Sequence, residues 1–421
     1  MVAVWLLGVA WGALARPPRV VPLGARGRPG ALVAIHDPGG HALDAFHAAL
    51  NRAERRKGQV RIAFYGASHT AADLWTGELR RLLQDRVGDA GHGFVFPARW
   101  NVGYRHQDLL VDASSGWHVD RHRSSGAQVS DLGVAGLSMS SSDPNEYAVL
   151  RTTRESPYGA LASRITLWFR TDPAGGDLTV DIDGKATTVA TKAAEAGVRS
   201  RVWNVRDEAH TVRFSPVGNG AVTVFGVALD RAAPGAVVDQ LGIPGMRADI
   251  VLHWNEAIWQ QMLRDRAPDL VVLAYGTNDV GDVDEPPEVY AATWRQVLSR
   301  VRAAVPGASC LIVGPTDRLG KDADGNRRTM PHTPSVIATQ RQVAAELGCG
   351  HWDAQATMGG PGAMLDWQRA GLAAGDDVHL KREGYGWLAE LLAYALLREP
   401  GGAQPQAFGS RRDTASRGTV P

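Results

Sequence analysis

Cysteine is scarce: two residues, Cys310 and Cys349, in a chain of 421, too few for a fold held by a disulfide framework. Both fall near the starts of expected core strands, where buried free thiols are the simpler expectation, and pairing is the alternative in an exported protein. Charge of one sign is also lacking. Lys and Arg number 45 against 44 Asp and Glu, a net charge of +1, and no basic stripe with interleaved aromatics marks a nucleic-acid surface. No run of the mature chain approaches the roughly 20 apolar residues of a membrane span. His, Cys and acidic residues nowhere show metal-ligand spacing, so neither metal nor cofactor is expected.

What is present is an ordinary soluble composition, 44% hydrophobic and 21% charged. Residues 1–15 are apolar and uncharged and end in Ala13-Leu14-Ala15, the pattern of a cleaved export signal; periplasm, envelope or exterior is then the expected location. Residues 16–35, rich in Pro, Gly and Arg, read as a linker, and 400–421 as a disordered tail. Between them, strand-then-helix units recur. Val60–Tyr65 precedes a helix over 72–87, and Val237–Leu241 a helix over 248–265. Leu270–Tyr275 precedes 288–304, Cys310–Val313 precedes 334–347, and His351–Asp353 comes before a closing helix over 384–397. Near-continuous apolar strands alternating with helices predict a parallel sheet covered on both faces.

Residues 106–232 break that rhythm. Ile165–Phe169, Leu178–Ile182, Thr211–Phe214 and Val222–Val227 read as strands, separated by turn signals such as Asp183-Gly184. This predicts an all-β sandwich spliced into an α/β unit made of 36–105 and 233–399.

The residues with chemistry follow the α/β strands. Ser68 stands after the first, Gly245 after the second, Asn278 after the third, and Asp376 and His379 before the last helix. In open parallel sheets such groups gather at the carboxyl ends of strands, near the switch point of the strand order. A serine hydroxyl needs an adjacent base; His379 suits that task, and Asp376, three residues earlier, can hold its other ring nitrogen. The backbone N–H of Ser68 at a helix start, the N–H of Gly245 and the Asn278 amide can face an oxyanion. Each signal alone is weak; their joint occurrence in this order is specific. His69 is adjacent to the serine but points elsewhere if it opens a helix. The Gly-x-Ser-x-Gly elbow of α/β-hydrolases is absent, with Thr70 in the last glycine's place.

The runs Tyr65–Asp73, Leu241–Gly245, Gly276–Asp279 and Asp376–Tyr385 together resemble the four blocks of the SGNH, or GDSL-like, hydrolases. One departure is Ala67, where that family commonly has Asp. The resemblance implies a flavodoxin-like three-layer α/β fold with a five-stranded parallel sheet. It also implies Ser68, Asp376 and His379 as the triad, with oxyanion donors from Ser68, Gly245 and Asn278. Within the family, the inserted sandwich resembles that of bacterial peptidoglycan and carbohydrate O-acetylesterases, which implies an acetylated polysaccharide as partner. A polysaccharide O-acetyltransferase would use the same residues, and a general lipase or arylesterase is a third reading. The segment 352–364 with Trp367 is a candidate acyl-pocket wall, and Trp100, Trp117 and Trp168 are candidate sugar-stacking residues.

Overall fold

The computed structural model describes residues 21–22, 28–121, 130–153 and 156–398. The expected export signal and the tail lie outside the described residues.

Five parallel strands form the centre: Gln59–Gly66, Gly235–Gly242, Leu270–Ala274, Ser309–Val313 and Gly350–Trp352. Their order across the sheet is second, first, third, fourth, fifth, the flavodoxin-like order. Gly235–Gly242 is buried throughout because helices and the β-rich region leave neither face to water, as its apolar run requires. The order reverses between the first strand and its two neighbours, so Gly66, Gly242 and Ala274 end side by side.

Between Leu109 and Asp230 the chain builds two antiparallel sheets. One has five strands, with Ala148–Thr152, Thr211–Pro216 and Asp177–Ile182 inside it. The other has six, including Ala162–Thr171 and Val222–Asp230, and takes its sixth strand, Gly91–Val95, from before Leu109. Leu150, Leu178, Val180 and Phe214 of one sheet and Ile165, Leu167 and Val224 of the other bury into a shared core. No linker separates this region from the α/β unit. Gly91–Val95, expected as part of the α/β unit, pairs antiparallel with Val222–Asp230. Beneath it, Arg266 of the helix Glu256–Arg266 is buried between Asp230 and Asp239.

Three expectations are corrected. The linker reading fails for 28–35: Ala31 and Val33 are buried, and the Pro29 and Val33 carbonyls accept the indole N–H groups of Trp387 and Trp352 at 2.9 and 3.1 Å. The helix expected over 72–87 starts at Leu74, after a separate turn of helix Ser68–Ala71, because Asp73 takes a left-handed φ of 52°. The cysteines are not free. Cys310 and Cys349 form a disulfide with Cα atoms 4.9 Å apart, because the strand that holds Cys310 and the strand that follows Cys349 are parallel neighbours.

The bridge closes a loop over 39 positions, which chain entropy values at about 4 kcal/mol. Reduction, or paired Cys310→Ser and Cys349→Ser substitution, is expected to lower Tm by several degrees while preserving the circular-dichroism spectrum. An unchanged Tm under reductant would show that the bridge does not form in solution.

Candidate functional site

The Ser68 turn fits onto the sheet because glycines let it. A Cβ on Gly66 would lie 2.9 Å from the Ala274 carbonyl and would overlap the Thr70 hydroxyl, and one on Gly242 would lie 2.6 Å from the Ala71 nitrogen. Those contacts are shorter than side chains tolerate, so the strand ends must be bare for the turn to seat.

Ser68 opens that turn, half-buried, and its Oγ lies 2.8 Å from His379 Nε2. His379 Nδ1 lies 2.7 Å from Asp376 Oδ2. The other Asp376 oxygen accepts the backbone N–H groups of His379 and Val378 at 2.9 and 3.1 Å. Burial pushes the Asp376 carboxyl up, but these hydrogen bonds and the His379 ring outweigh it and hold it below the usual range. The three side chains therefore form a relay from carboxylate through imidazole to hydroxyl, which can withdraw a proton from Ser68.

Gly245 is exposed at φ 82°, and no atom lies within 4 Å of where its Cβ would be. Its backbone borders open space while disfavouring any L side chain. Asn278 donates one amide hydrogen to the Met246 carbonyl at 2.8 Å. Because an amide carries two donors, that bond fixes the group and leaves a second hydrogen. It also ties the Asn278 loop to the Gly245 loop. All five expected residues thus belong to one cluster of loops at the carboxyl edge of the sheet. The helix expected to follow Ser68 is only the single turn Ser68–Ala71, so a helix dipole is a smaller contribution than the sequence implied.

His69 turns inward, away from the serine. Its Nδ1 lies 2.7 Å from the Tyr385 hydroxyl and its Nε2 3.2 Å from Thr316 Oγ1. Burial, reinforced by the His379 ring, lowers its pKa to about 3. It is a neutral spacer beneath His379, their ring centroids 5.3 Å apart. Asp279, beside Asn278, is buried with one oxygen unpartnered, and burial pushes it up to about 7.

Several other candidates are core. Met358, Met364 and Trp367 are fully buried, with the Trp367 indole donating to the Met358 carbonyl at 2.9 Å, so these three side chains pack into the core. Trp168 and Trp117 are buried too. Trp100 alone is partly exposed, with Arg121 stacked 5.1 Å from its ring.

One group of side chains escaped the sequence reading because its members are dispersed: Asp73, His92 and His106, with ligand atoms within 4.8 Å of one another. Its chemistry suits hydrogen bonding better than a cation. Arg80 already neutralises Asp73 at 2.8 Å, outweighing the effect of burial on that carboxylate. His92 Nε2 meets His106 Nδ1 at 3.2 Å, and burial keeps both rings neutral, His106 at about 4.

The sequence also gave no sign of what braces the Asp376–His379 loop. The short hairpin Leu319–Lys321 and Arg327–Thr329 lies against it. Leu319 N donates to the Asp377 carbonyl at 3.0 Å, Arg327 Nε to the Asp377 carboxylate at 3.0 Å, and Gln368 to the Ala374 carbonyl at 2.8 Å. Asp377 itself sits at φ 68°, a conformation these partners stabilise.

The comparisons bear on this arrangement. The model of the "GDSL-like Lipase/Acylhydrolase family" matches residues 209–387. A solved structure described as a peptidoglycan O-acetylesterase in action superposes with a TM-score of 0.73 at 25% identity, covering 86% of this chain and 97% of that one. The chain carries a GDSL-like acylhydrolase domain. A family two carbohydrate esterase from Cellvibrio japonicus is much more distant, at 11% identity and a TM-score of 0.28 over 67% of this chain and 97% of that one. No curated protein matches this acylhydrolase.

Arg327→Ala is expected to lower kcat up to about tenfold with little change in KM, since loosening the His379 loop degrades alignment rather than binding. The pair is partly exposed and adds little to stability, so Tm is the control. Unaltered kcat would mean that the loop holds its shape without the hairpin.

Proposed function

We propose that this acylhydrolase is a serine esterase that removes O-acetyl groups from a cell-wall polysaccharide of the peptidoglycan type. The carrying observation is the relay of 2.8 and 2.7 Å from Ser68 through His379 to Asp376, and the likeness to the peptidoglycan O-acetylesterase supports the choice of substrate.

In this reading, His379 Nε2 takes the Ser68 proton as Oγ attacks the acetyl carbonyl. Asp376 holds the Nδ1–H tautomer and stabilises the imidazolium that forms. The carbonyl oxygen becomes an oxyanion facing the Ser68 and Gly245 N–H groups and the free Asn278 amide hydrogen. Collapse returns the proton from His379 to the departing sugar oxygen and leaves an acetyl group on Ser68. Water, deprotonated by His379, then attacks that ester and releases acetate.

We further propose that the protein works outside the cytoplasm. The Cys310–Cys349 disulfide supports this, because such bonds persist in oxidising compartments. The apolar leader motif at 1–15 points the same way.

Ser68→Ala is expected to abolish acetate release from O-acetylated peptidoglycan and from a small acetyl ester, with Tm retained; substantial residual turnover would remove Ser68 as nucleophile. Asn278→Ala is expected to lower kcat about 100- to 1,000-fold with KM nearly constant, because the oxyanion forms only on the reaction path. A rise in KM alone would reassign Asn278 to substrate binding.

A further inference from the structure

The loop joining Gly91–Val95 to Leu109–Ala113 takes no part in the chemistry above, yet it is attached to the elements that do. Arg105 N donates to the Ala71 carbonyl at 3.0 Å, at the end of the Ser68 turn. Gln107 donates to the Ala72 carbonyl at 3.3 Å and accepts from Arg382 at 3.0 Å, on the helix that follows His379. Gly103 packs beside Pro244, next to Gly245. From below, Asp73 accepts the Gln107 N–H at 2.7 Å, and Tyr104 and His92 hold His106 at 2.9 and 3.2 Å. A segment bonded at this many points presents a preorganised surface.

That surface borders a half-open cleft of about 450 Å³ lined by Arg99, Asn101, Val102, Tyr104, Arg105 and Gln107 among others, within the size range of ligand sites. Among the described residues, none of those that line it is a carboxylate. The nearby acids are already neutralised, Asp73 by Arg80 and Asp108 by Arg81 at 2.6 Å. Arg99 and Arg105 are exposed, and among the described residues neither has a carboxylate partner; Arg105 Nε donates only to the Val102 carbonyl at 3.3 Å. Val102, 91% exposed, stands at the rim. Two unpaired guanidiniums over a rigid floor of hydrogen-bonding groups suit a planar anion.

We propose that this cleft is a subsite for a carboxylate of the glycan strand, read by Arg99 and Arg105 while the acetyl ester lies at Ser68. The inference rests on the acetylesterase reading for the identity of the strand. In peptidoglycan the carboxylate comes either from the stem peptide or, where the peptide has been removed, from the lactyl group of the muramic acid.

The test is the Arg99→Gln/Arg105→Gln double variant, whose changes fall on exposed side chains. Its kcat/KM on O-acetylated peptidoglycan is expected to fall, through KM, about tenfold further than on 4-nitrophenyl acetate, as befits lost charge-assisted bonds. O-Acetylated xylan without uronic acids is expected to show no such excess. Persistence of the excess on amidase-treated strands assigns the lactyl carboxylate; its disappearance there assigns the peptide. Equal losses on the neutral and the carboxylate-bearing polymers, or none on either, would overturn the subsite. Binding of de-O-acetylated strands to Ser68→Ala protein, with and without the two arginines, needs no turnover. It therefore decides the subsite even if acetylated peptidoglycan proves not to be a substrate.

Discussion

Arg266, at the end of the helix Glu256–Arg266, reaches Asp239 of a parallel strand through Nε and NH2 at 2.7 and 2.8 Å, and Asp230 of an antiparallel strand through NH1 and NH2 at 2.7 and 3.1 Å. Arg61 joins Asp230 at 2.9 Å, and Asp239 also accepts the Phe94 N–H at 2.8 Å. Burial would neutralise Asp230, yet the two arginines hold it well below the usual carboxylate range. Such a network contributes little net stability over an apolar contact, but removing one member strands a charge and costs about 3–5 kcal/mol. It acts as a registry device. The β-rich region cannot slide or tilt on the parallel sheet without leaving a buried ion alone.

That fixed docking matters for the site because the loop 98–107 leaves the β-rich region and lands on the Ser68 turn. Three levels of constraint then converge. Bare strand ends let the turn seat, the hairpin 319–329 shapes the Asp376–His379 loop, and the Met246 carbonyl orients Asn278. The first and third act through backbone groups, and the hairpin adds the Arg327 side chain to the Leu319 N–H.

The parallel unit was legible because its first four strands are buried, mostly apolar runs alternating with helices, and the site was legible because its residues follow those strands in order. The β-rich region was less so. Gly197–Glu208 is a twelve-residue strand, yet it is largely exposed and polar; it is a strand because Ala162–Thr171 pairs with it, information a local pattern does not hold. Leu109–Ala113 and Ala148–Thr152 likewise become strands by pairing with each other. The disulfide, the Asp73–His92–His106 cluster and the Arg327 brace all join residues from separate elements, so only the fold reveals them.

The first parallel strand sits at the switch point, but its partners Gly235–Gly242 and Leu270–Ala274 are synthesised only after the whole β-rich region. Until then Gln59–Gly66 has no parallel neighbour, and its apolar face must wait. Loop-closure entropy grows slowly with length, while long-range parallel pairing slows folding. The β-rich region pairs most of its strands with one another, as Asp177–Ile182 with Lys185–Ala190 and Ala162–Thr171 with Val222–Asp230, and so brings the two halves of the parallel sheet within reach. The same region that borders the reaction site therefore also acts as the staple that lets the sheet assemble.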